Sequence, residues 1–336
     1  MTQNRIDWLK ARRSGIGGSD VAAILGLNRY KSALDIYNDK ISTEEPKEQQ
    51  SESAYFGTIL EDVVAKEFSK RTGLKVQRVN TMLRSGMGGW MIANIDRAVV
   101  NPDIAGRVSV YDEQRQAETG RMISTNWILE CKTANQFSAD QWGESQETEI
   151  VNGQIVTEHK IPIYYETQVQ WYMAVTGCDT CFVAVLLGGQ DFRIYAVKRD
   201  EDVIKALKEH CSVFWHEHVL KGIPPEAQNM EDVQKLFPVD NGDMVEATNE
   251  QAADIGELRT LAERIKELTD QQTVVKSRLI ASLGANSGLM IGGEKACTYK
   301  AQKSTRFDST RFKKEQPAVY QDYVKSTETR VFRLAA

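Results

Sequence analysis

Five stretches of this chain carry the two-residue periodicity or continuous apolar character of β-strands, and their order with respect to helical stretches limits the fold. The strand-like runs are 75–84, 90–100, 127–133, 181–187 and 192–198. Side chains on a strand change face at every residue, so such runs place their odd and even positions on opposite sides of a sheet. Helical spacing comes before them at 55–72, where Ile59, Leu60, Val63, Val64 and Phe68 form one stripe and Gly73 stands where a left-handed cap belongs. A second helix opens at Pro162, between the third and fourth runs, and is ended by Gly177. A third covers 201–221. The order helices, strands, helix, strands, helix predicts an α/β protein with a mixed central sheet flanked by helices. Ahead of it, 7–41 reads as helix, glycine-rich turn and two helices, with Ser19 and Asp20 as cap types. Residues 101–126 read as a hairpin excursion, and Asn152-Gly153 carries the signal of a second hairpin.

A length of 336 residues suits about two domains. Pro224, Pro225 and Pro238 are three of only seven prolines. They place a boundary there, giving a core over 1–225, a linker over 226–245 and an accessory region over 246–336. Within the last, Leu258, Leu261, Ile265, Leu268, Val275 and Leu279 alternate in threes and fours. They predict a helix of about 50 Å over 249–283. Gln272 breaks the heptad, so an antiparallel helix pair or a helix on the core competes with a coiled coil. The segment 299–333 mixes basic residues with Phe307, Phe312, Tyr320, Tyr323 and Phe332. It suits either phosphate contacts with DNA or aromatic packing on the long helix.

No run approaches the ~18 apolar residues of a membrane helix. The first residues lack an apolar signal core, and five cysteines form an odd, sparse set. Reduced thiols in a cytoplasm are expected. The net charge of −5 disfavours a polyanion partner for the chain as a whole. It does not exclude one, because a nuclease pairs a basic groove with an acidic metal site.

The chemistry concentrates in two apolar runs that nevertheless carry carboxylates. Asp96 follows Ala93-Asn94-Ile95, and Glu130-Cys131-Lys132 follows Ile128-Leu129. Alternation puts Glu130 and Lys132 on one strand face and Cys131 on the other. Neighbouring strands can bring Asp96 beside Glu130. Two carboxylates and a backbone carbonyl make a hard oxygen site suited to Mg²⁺. A lysine two residues on can orient or deprotonate a water, as phosphodiester hydrolysis requires. E-x-K alone is weak, but an unpaired carboxylate in an apolar strand is costly and asks for a reason.

Asp96 with Glu130-Cys131-Lys132 resembles the PD-(D/E)XK nucleases. The wider pattern resembles the YqaJ-type viral recombinases related to phage lambda exonuclease. The matching pieces are Trp8 with Arg12-Arg13-Ser14-Gly15-Ile16-Gly17-Gly18-Ser19-Asp20-Val21, then Gly57 with Leu60-Glu61, the acid runs, Gln168-Val169-Gln170-Trp171-Tyr172 through Gly177, and Arg199-Asp200. Ile95 departs from the proline in the family's name. The resemblance implies a restriction-endonuclease-like core, with a helical and basic C-terminal extension. Asp96, Glu130 and the Cys131 carbonyl are then metal ligands, and Lys132 handles the nucleophilic water. Glu61, on the helix face opposite the apolar stripe, binds a second metal or its water. Gln168 fixes a metal-bound water or the Lys132 ammonium. Arg12, Ser19 and Asn94 hold a 5′-phosphate. The implied activity is Mg²⁺-dependent 5′-to-3′ digestion of linear double-stranded DNA, with Mn²⁺ as a substitute ion. It leaves 3′ single strands for a single-strand-annealing partner in a bacterial host's cytoplasm, without membrane, and the enzyme is a homo-oligomeric ring trimer. A PD-(D/E)XK endonuclease and a non-catalytic DNA-binding scaffold are the competing readings.

Other motifs read as structural. Gly15-x-Gly17-Gly18 lacks the lysine and the preceding strand of a nucleotide loop. Cys178-x-x-Cys181 has no second cysteine pair to complete a zinc site and suits a buried apolar pair. His216 and His218 stand two apart on a helix, facing different ways.

Overall fold

The structure, a computed structural model, describes residues 3–46, 51–86, 89–112, 117–143, 150–151, 154–155, 160–326 and 328–335. It divides into two compact units, Met1–Val233 and Gln234–Ala336.

The first unit opens with α1 (Gln3–Arg12), α2 (Gly18–Ile24), α3 (Ala33–Ile41) and α4 (Glu52–Thr72). Then come β1 (Val76–Arg78), β2 (Leu83–Arg84), β3 (Ile92–Ala93), β4 (Arg97–Val99), β5 (Gly106–Asp112), β6 (Ala117–Ser124) and β7 (Trp127–Ala134). Short β8 (Ile150–Val151) and β9 (Gln154–Ile155) pair antiparallel. Asn152 and Gly153, the predicted turn between them, lie outside the described residues. Next are α5 (Ile163–Thr176), β10 (Thr180–Leu187), β11 (Asp191–Lys198) and α6 (Glu201–Val213). A π-helical turn at Phe214–Val219 extends α6, and α7 (Met230–Leu236) follows.

The central sheet has the order β1-β4-β7-β10-β11. It is mixed: β7 and β10 are parallel, whereas β1·β4, β4·β7 and β10·β11 are antiparallel. The parallel pair requires a crossover, and α5 supplies it. α5 ends at Gly177 with φ 71°, a left-handed cap. β10 is apolar on both faces because helices cover both: one face meets Val64 and Phe68 of α4. Phe68 and Phe182 stack at 5.3 Å between ring centres. The predicted mixed α/β architecture is therefore present.

Three local expectations change. The runs 75–84 and 90–100 each split, so that β1 and β4 join the main sheet while β2 pairs with β3. The break at 94–96 falls where Asp96 turns its carboxylate onto β7, as described below. On α4 the buried residues are Val64, Ala65 and Phe68, while Ile59 and Val63 are exposed. The buried stripe thus includes the position of Glu61, three, four and seven residues earlier, so Glu61 does not face away from it. The first unit also reaches past Pro225. The Gln228 side chain accepts from Ala33 N–H at 2.9 Å, and wholly buried Asp232 accepts from the Ser32 hydroxyl at 2.6 Å. These bonds hold the start of the expected linker to α3.

The second unit contains α8 (Asn249–Leu283), a hairpin of β12 (Gly288–Ile291) and β13 (Glu294–Thr298), and short α9 (Ser309–Glu315) and α10 (Pro317–Asp322). Phe307, Phe312 and Tyr320 pack on one another. Among the described residues no helix is long and apolar enough to cross a membrane.

Candidate active site

The carboxylate cluster forms where β4 stops short. The β4·β7 register ends with Arg97 opposite Leu129, so β7 continues from Glu130 without a ladder partner on that side. The freed N–H of Cys131 donates instead to Asp96 Oδ2 at 2.8 Å. On a strand the N–H and C=O of one residue face the same neighbour, so the Cys131 carbonyl faces the Asp96 edge. Its thiol is kept neutral by burial and by the adjacent Asp96 and Glu130 carboxylates.

Glu130 is buried and fully engaged on one oxygen only. Its Oε1 accepts from Lys132 Nζ at 2.6 Å and from Gln168 Nε2 at 2.7 Å. Its Oε2 is buried without a hydrogen-bond partner. Gln168, from α5, also donates to Tyr172 Oη at 2.8 Å and accepts from Lys132 at 3.2 Å. Both N–H donors of that amide and its oxygen are therefore engaged, and its orientation is fixed. The Lys132 ammonium lies 4.7 Å from the centre of the Tyr165 ring. Burial alone would lower the Lys132 pKa, but Glu130, Tyr165 and Asp96 outweigh it and raise it above the ordinary lysine range. Lys132 is thus an ammonium here, which suits holding a proton and a hydrogen bond rather than removing one from water. Burial, then the charges of Glu130 and Glu61, push the Asp96 carboxyl well above the usual carboxylate range.

Glu61 approaches this cluster but is engaged elsewhere. Arg97, buried directly after Asp96, donates to Glu61 Oε1 at 2.5 Å and also binds Asp62. Sequence reasoning missed Arg97. Its one signal is a charged residue immediately after Asp96 in an otherwise apolar run.

Asp96, Glu130 and the Cys131 carbonyl form an all-oxygen donor set. The orphaned Oε2, and the burial and carboxylate repulsion that together raise Asp96, both mark a place where a divalent cation fits. Among the described residues no group of three or more His, Cys, Asp or Glu side chains is clustered for a metal. The fit is therefore to two carboxylates and a carbonyl, with Glu61 held by Arg97.

A second constellation adjoins the first. Arg12 ends α1, and its Nη2 donates to Ser19 Oγ at 2.8 Å and to Asp20 Oδ1 at 3.4 Å. The guanidinium stands 5.1 Å from the Trp8 ring centre. Asp20 is buried and accepts from Lys40 Nζ at 2.7 Å and Gly17 N–H at 3.0 Å. Lys40 also donates to the Arg12 carbonyl at 3.0 Å. Burial alone would raise the Asp20 carboxyl, but Lys40 and Arg12 hold it below the ordinary range. Lys40 was not foreseen, yet its spacing from Ala33 and Tyr37 puts a charge on the buried face of α3.

The glycine turn brings these parts together by close packing. A Cβ on Gly15 would meet the Trp90 carbonyl at 2.4 Å, and one on Gly18 the Tyr172 ring at 2.6 Å. Ile16 N–H donates to Trp90 O at 2.7 Å, and Trp171 Nε1 donates to both Ile16 O and Ile92 O. The turn thus docks on β3 and α5, and the helix cap is Gly17 rather than Ser19 or Asp20. Asn94 lies half-buried after β3, two residues before Asp96. Cys178 and Cys181 are buried, and His216 is exposed with its Nδ1 at 2.8 Å from the Ser212 carbonyl.

Residues 7–179, just over half of the chain, match the model of the YqaJ-like viral recombinase domain. The chain is 30% identical over 336 residues to the uncharacterized protein YqaJ of Bacillus subtilis, covering 98% of this chain and 93% of the relative. Similar solved structures include an alkaline exonuclease from Laribacter hongkongensis, 17% identical with a TM-score of 0.46, over 68% of this chain and 96% of that one. A phage-related exonuclease from Haemophilus somnus is 13% identical with a TM-score of 0.38, over 62% of this chain and 96% of that one.

Proposed function

From the premise that the chain belongs to the YqaJ-like viral recombinase family, we propose that it is a metal-dependent exonuclease acting on the ends of double-stranded DNA. The observation that carries the reading is Glu130, a buried carboxylate with one oxygen shared by Lys132 and Gln168 and the other left without a partner. A buried carboxylate oxygen left without a partner in an apolar sheet is costly, and a bound cation would offset that cost.

Asp96, Glu130 and the Cys131 carbonyl would hold Mg²⁺, with Mn²⁺ able to replace it. Such an ion, when bound, polarises a phosphodiester and makes water nucleophilic at neutral pH. Gln168 fixes Glu130 and the Lys132 amine in one orientation. Lys132, as an ammonium, orients the attacking water and offsets charge that develops on the phosphate. Glu61, turned by Arg97, shapes the charge around Asp96 and could take a second ion only by giving up Arg97. Arg12 and Ser19, with Asn94 nearby in sequence to Asp96, suit a terminal 5′-phosphate, because guanidinium offers a planar fork for its oxygens. A terminal phosphate held beside the metal site favours digestion from a 5′ end over internal cutting. The product would be a 3′ single strand for an annealing protein, made by a ring trimer as the resemblance implies.

The test is digestion of 5′-phosphorylated linear duplex against covalently closed circular duplex, with Mg²⁺ and with chelator. The expected result is Mg²⁺-dependent loss of the linear form alone, with 3′ tails remaining. Cutting of circles would establish an endonuclease. Binding without cleavage at any metal concentration would leave only a scaffold.

A further inference from the structure

Within the second unit, the long helix α8 carries an apolar seam that the rest of that unit does not cover. Leu258, Leu261, Ile265, Leu268, Val275 and Leu279 lie at the a and d positions of three heptads. All six are between 42% and 64% exposed. A seam of this kind is the pattern by which one helix packs against another.

The charges along the helix decide what kind of helix fits. Glu250, Asp254 and Glu257 make the first third acidic, and Lys276 and Arg278 make the last part basic. A second copy lying antiparallel, with Leu258 facing the partner's Val275, overlaps the two helices over their whole length. In that register Ile265 faces the partner's Leu268 and Gln251 faces the partner's Ser282. Glu257 flanks the seam opposite the partner's Arg278, and by symmetry the pair occurs twice. Gln272 falls opposite the partner's Leu261 and Asp254 opposite the partner's Leu279, so two kinds of layer are mismatched, but no two like charges meet in the seam. A parallel copy in register would instead set Asp254 against Asp254 within the seam and bring no opposite charges together at the flanks.

We propose that α8 is a self-association element, pairing antiparallel with α8 of a second copy of this chain. The contact is isologous, and it rests on the second unit alone, independently of the nuclease reading.

Sedimentation equilibrium of the full chain tests it. Leu261→Glu with Leu268→Glu should halve the assembled mass, whatever else the first unit does, while circular dichroism confirms retained helix. Glu257→Arg should weaken the association about tenfold, since two attractive pairs become two repulsive ones. Glu257→Arg with Arg278→Glu should restore it. Glu257 and Arg278 do not face the seam, so these variants keep the test open if the leucine variants misfold. Mixed chains carrying Glu257→Cys and Arg278→Cys should form a disulfide that neither forms alone. A wild-type chain that sediments as a monomer at micromolar concentration would overturn the proposal. So would an unchanged mass in the leucine variant, a charge reversal without effect, or an absent mixed disulfide.

Discussion

Lys40→Met should destabilise the first unit more than any change at the molecular surface. The Lys40 side chain is 1% exposed, and its ammonium holds Asp20 Oδ2 at 2.7 Å and the Arg12 carbonyl at 3.0 Å. Removing it leaves a buried carboxylate with only the longer 3.4 Å contact to Arg12 and the Gly17 N–H. Breaking a buried ion pair from one side costs about 3–5 kcal/mol. For a unit of this size that corresponds to about 6–20 °C in melting temperature. All six tryptophans, at positions 8, 90, 127, 142, 171 and 215, lie in the first unit, so tryptophan fluorescence reads its unfolding without interference from the second. Asp20→Asn combined with Lys40→Met removes the orphaned charge and should recover a large part of the loss. Acid should narrow the gap between wild type and Lys40→Met. Burial opposes but Lys40 and Arg12 dominate, so the folded Asp20 carboxyl sits below its unfolded value. Its contribution is complete above the unfolded pKa near ~4 and disappears as pH falls through the lower folded value. A Lys40→Met cost below ~1 kcal/mol, or a double variant no better than the single, would refute the assignment of Lys40 as the charge that sustains buried Asp20.

Asp96→Ala and Lys132→Ala should each lower cleavage by ~10²–10³ with DNA binding retained; near-normal digestion by Lys132→Ala would remove it from the site. Arg12→Ala should lower the preference for 5′-phosphoryl over 5′-hydroxyl duplex about ten- to hundredfold, read as the ratio of the two digestion rates. A chain ending after Val233 should retain Mg²⁺-dependent cleavage at low salt, assayed on short linear duplex. One ending at Pro225 loses the buried Asp232–Ser32 bond and should melt at lower temperature, by calorimetry, than the chain ending after Val233.

Much of the sheet was legible because its long strands are apolar on one or both faces and its turns carry their glycines. β7, β10 and β11 needed only periodicity and the Gly188-Gly189 turn, where both residues take positive φ. The short strands were not legible. β2 and β3 have two residues each, and whether such fragments stay in a neighbouring strand depends on a tertiary competitor for the backbone. Here that competitor is the Asp96 carboxylate, which takes the Cys131 N–H that a longer β4 would have used. The stripe on α4 was misplaced for a related reason. Ile59 and Val63 satisfy helical spacing as well as Ala65 does, and only the sheet decides which of them it covers.

The candidate site divides along the same line between what a residue type announces and what only contact reveals. Asp96, Glu130 and Lys132 announce themselves because charges are expensive in apolar strands. Gln168 does not, since a glutamine on a helix has many ordinary uses, and its role depends on reaching both Glu130 and Lys132 at once. Arg97 is the sharpest case. Read alone it is one more basic residue, but in the fold its guanidinium lies between Glu61 and Asp62 and donates to the Asp96 carbonyl. A buried arginine there pairs with Glu61, whose charge, after burial and Glu130, still helps to raise Asp96. Charge in this site is therefore apportioned by α4 and β4 together. Asp96 and Glu130 share the edge of β7, Lys132 and Gln168 hold Glu130, and Arg97 draws Glu61 aside. That apportioning leaves one buried carboxylate oxygen of this site, Glu130 Oε2, without a hydrogen-bond partner.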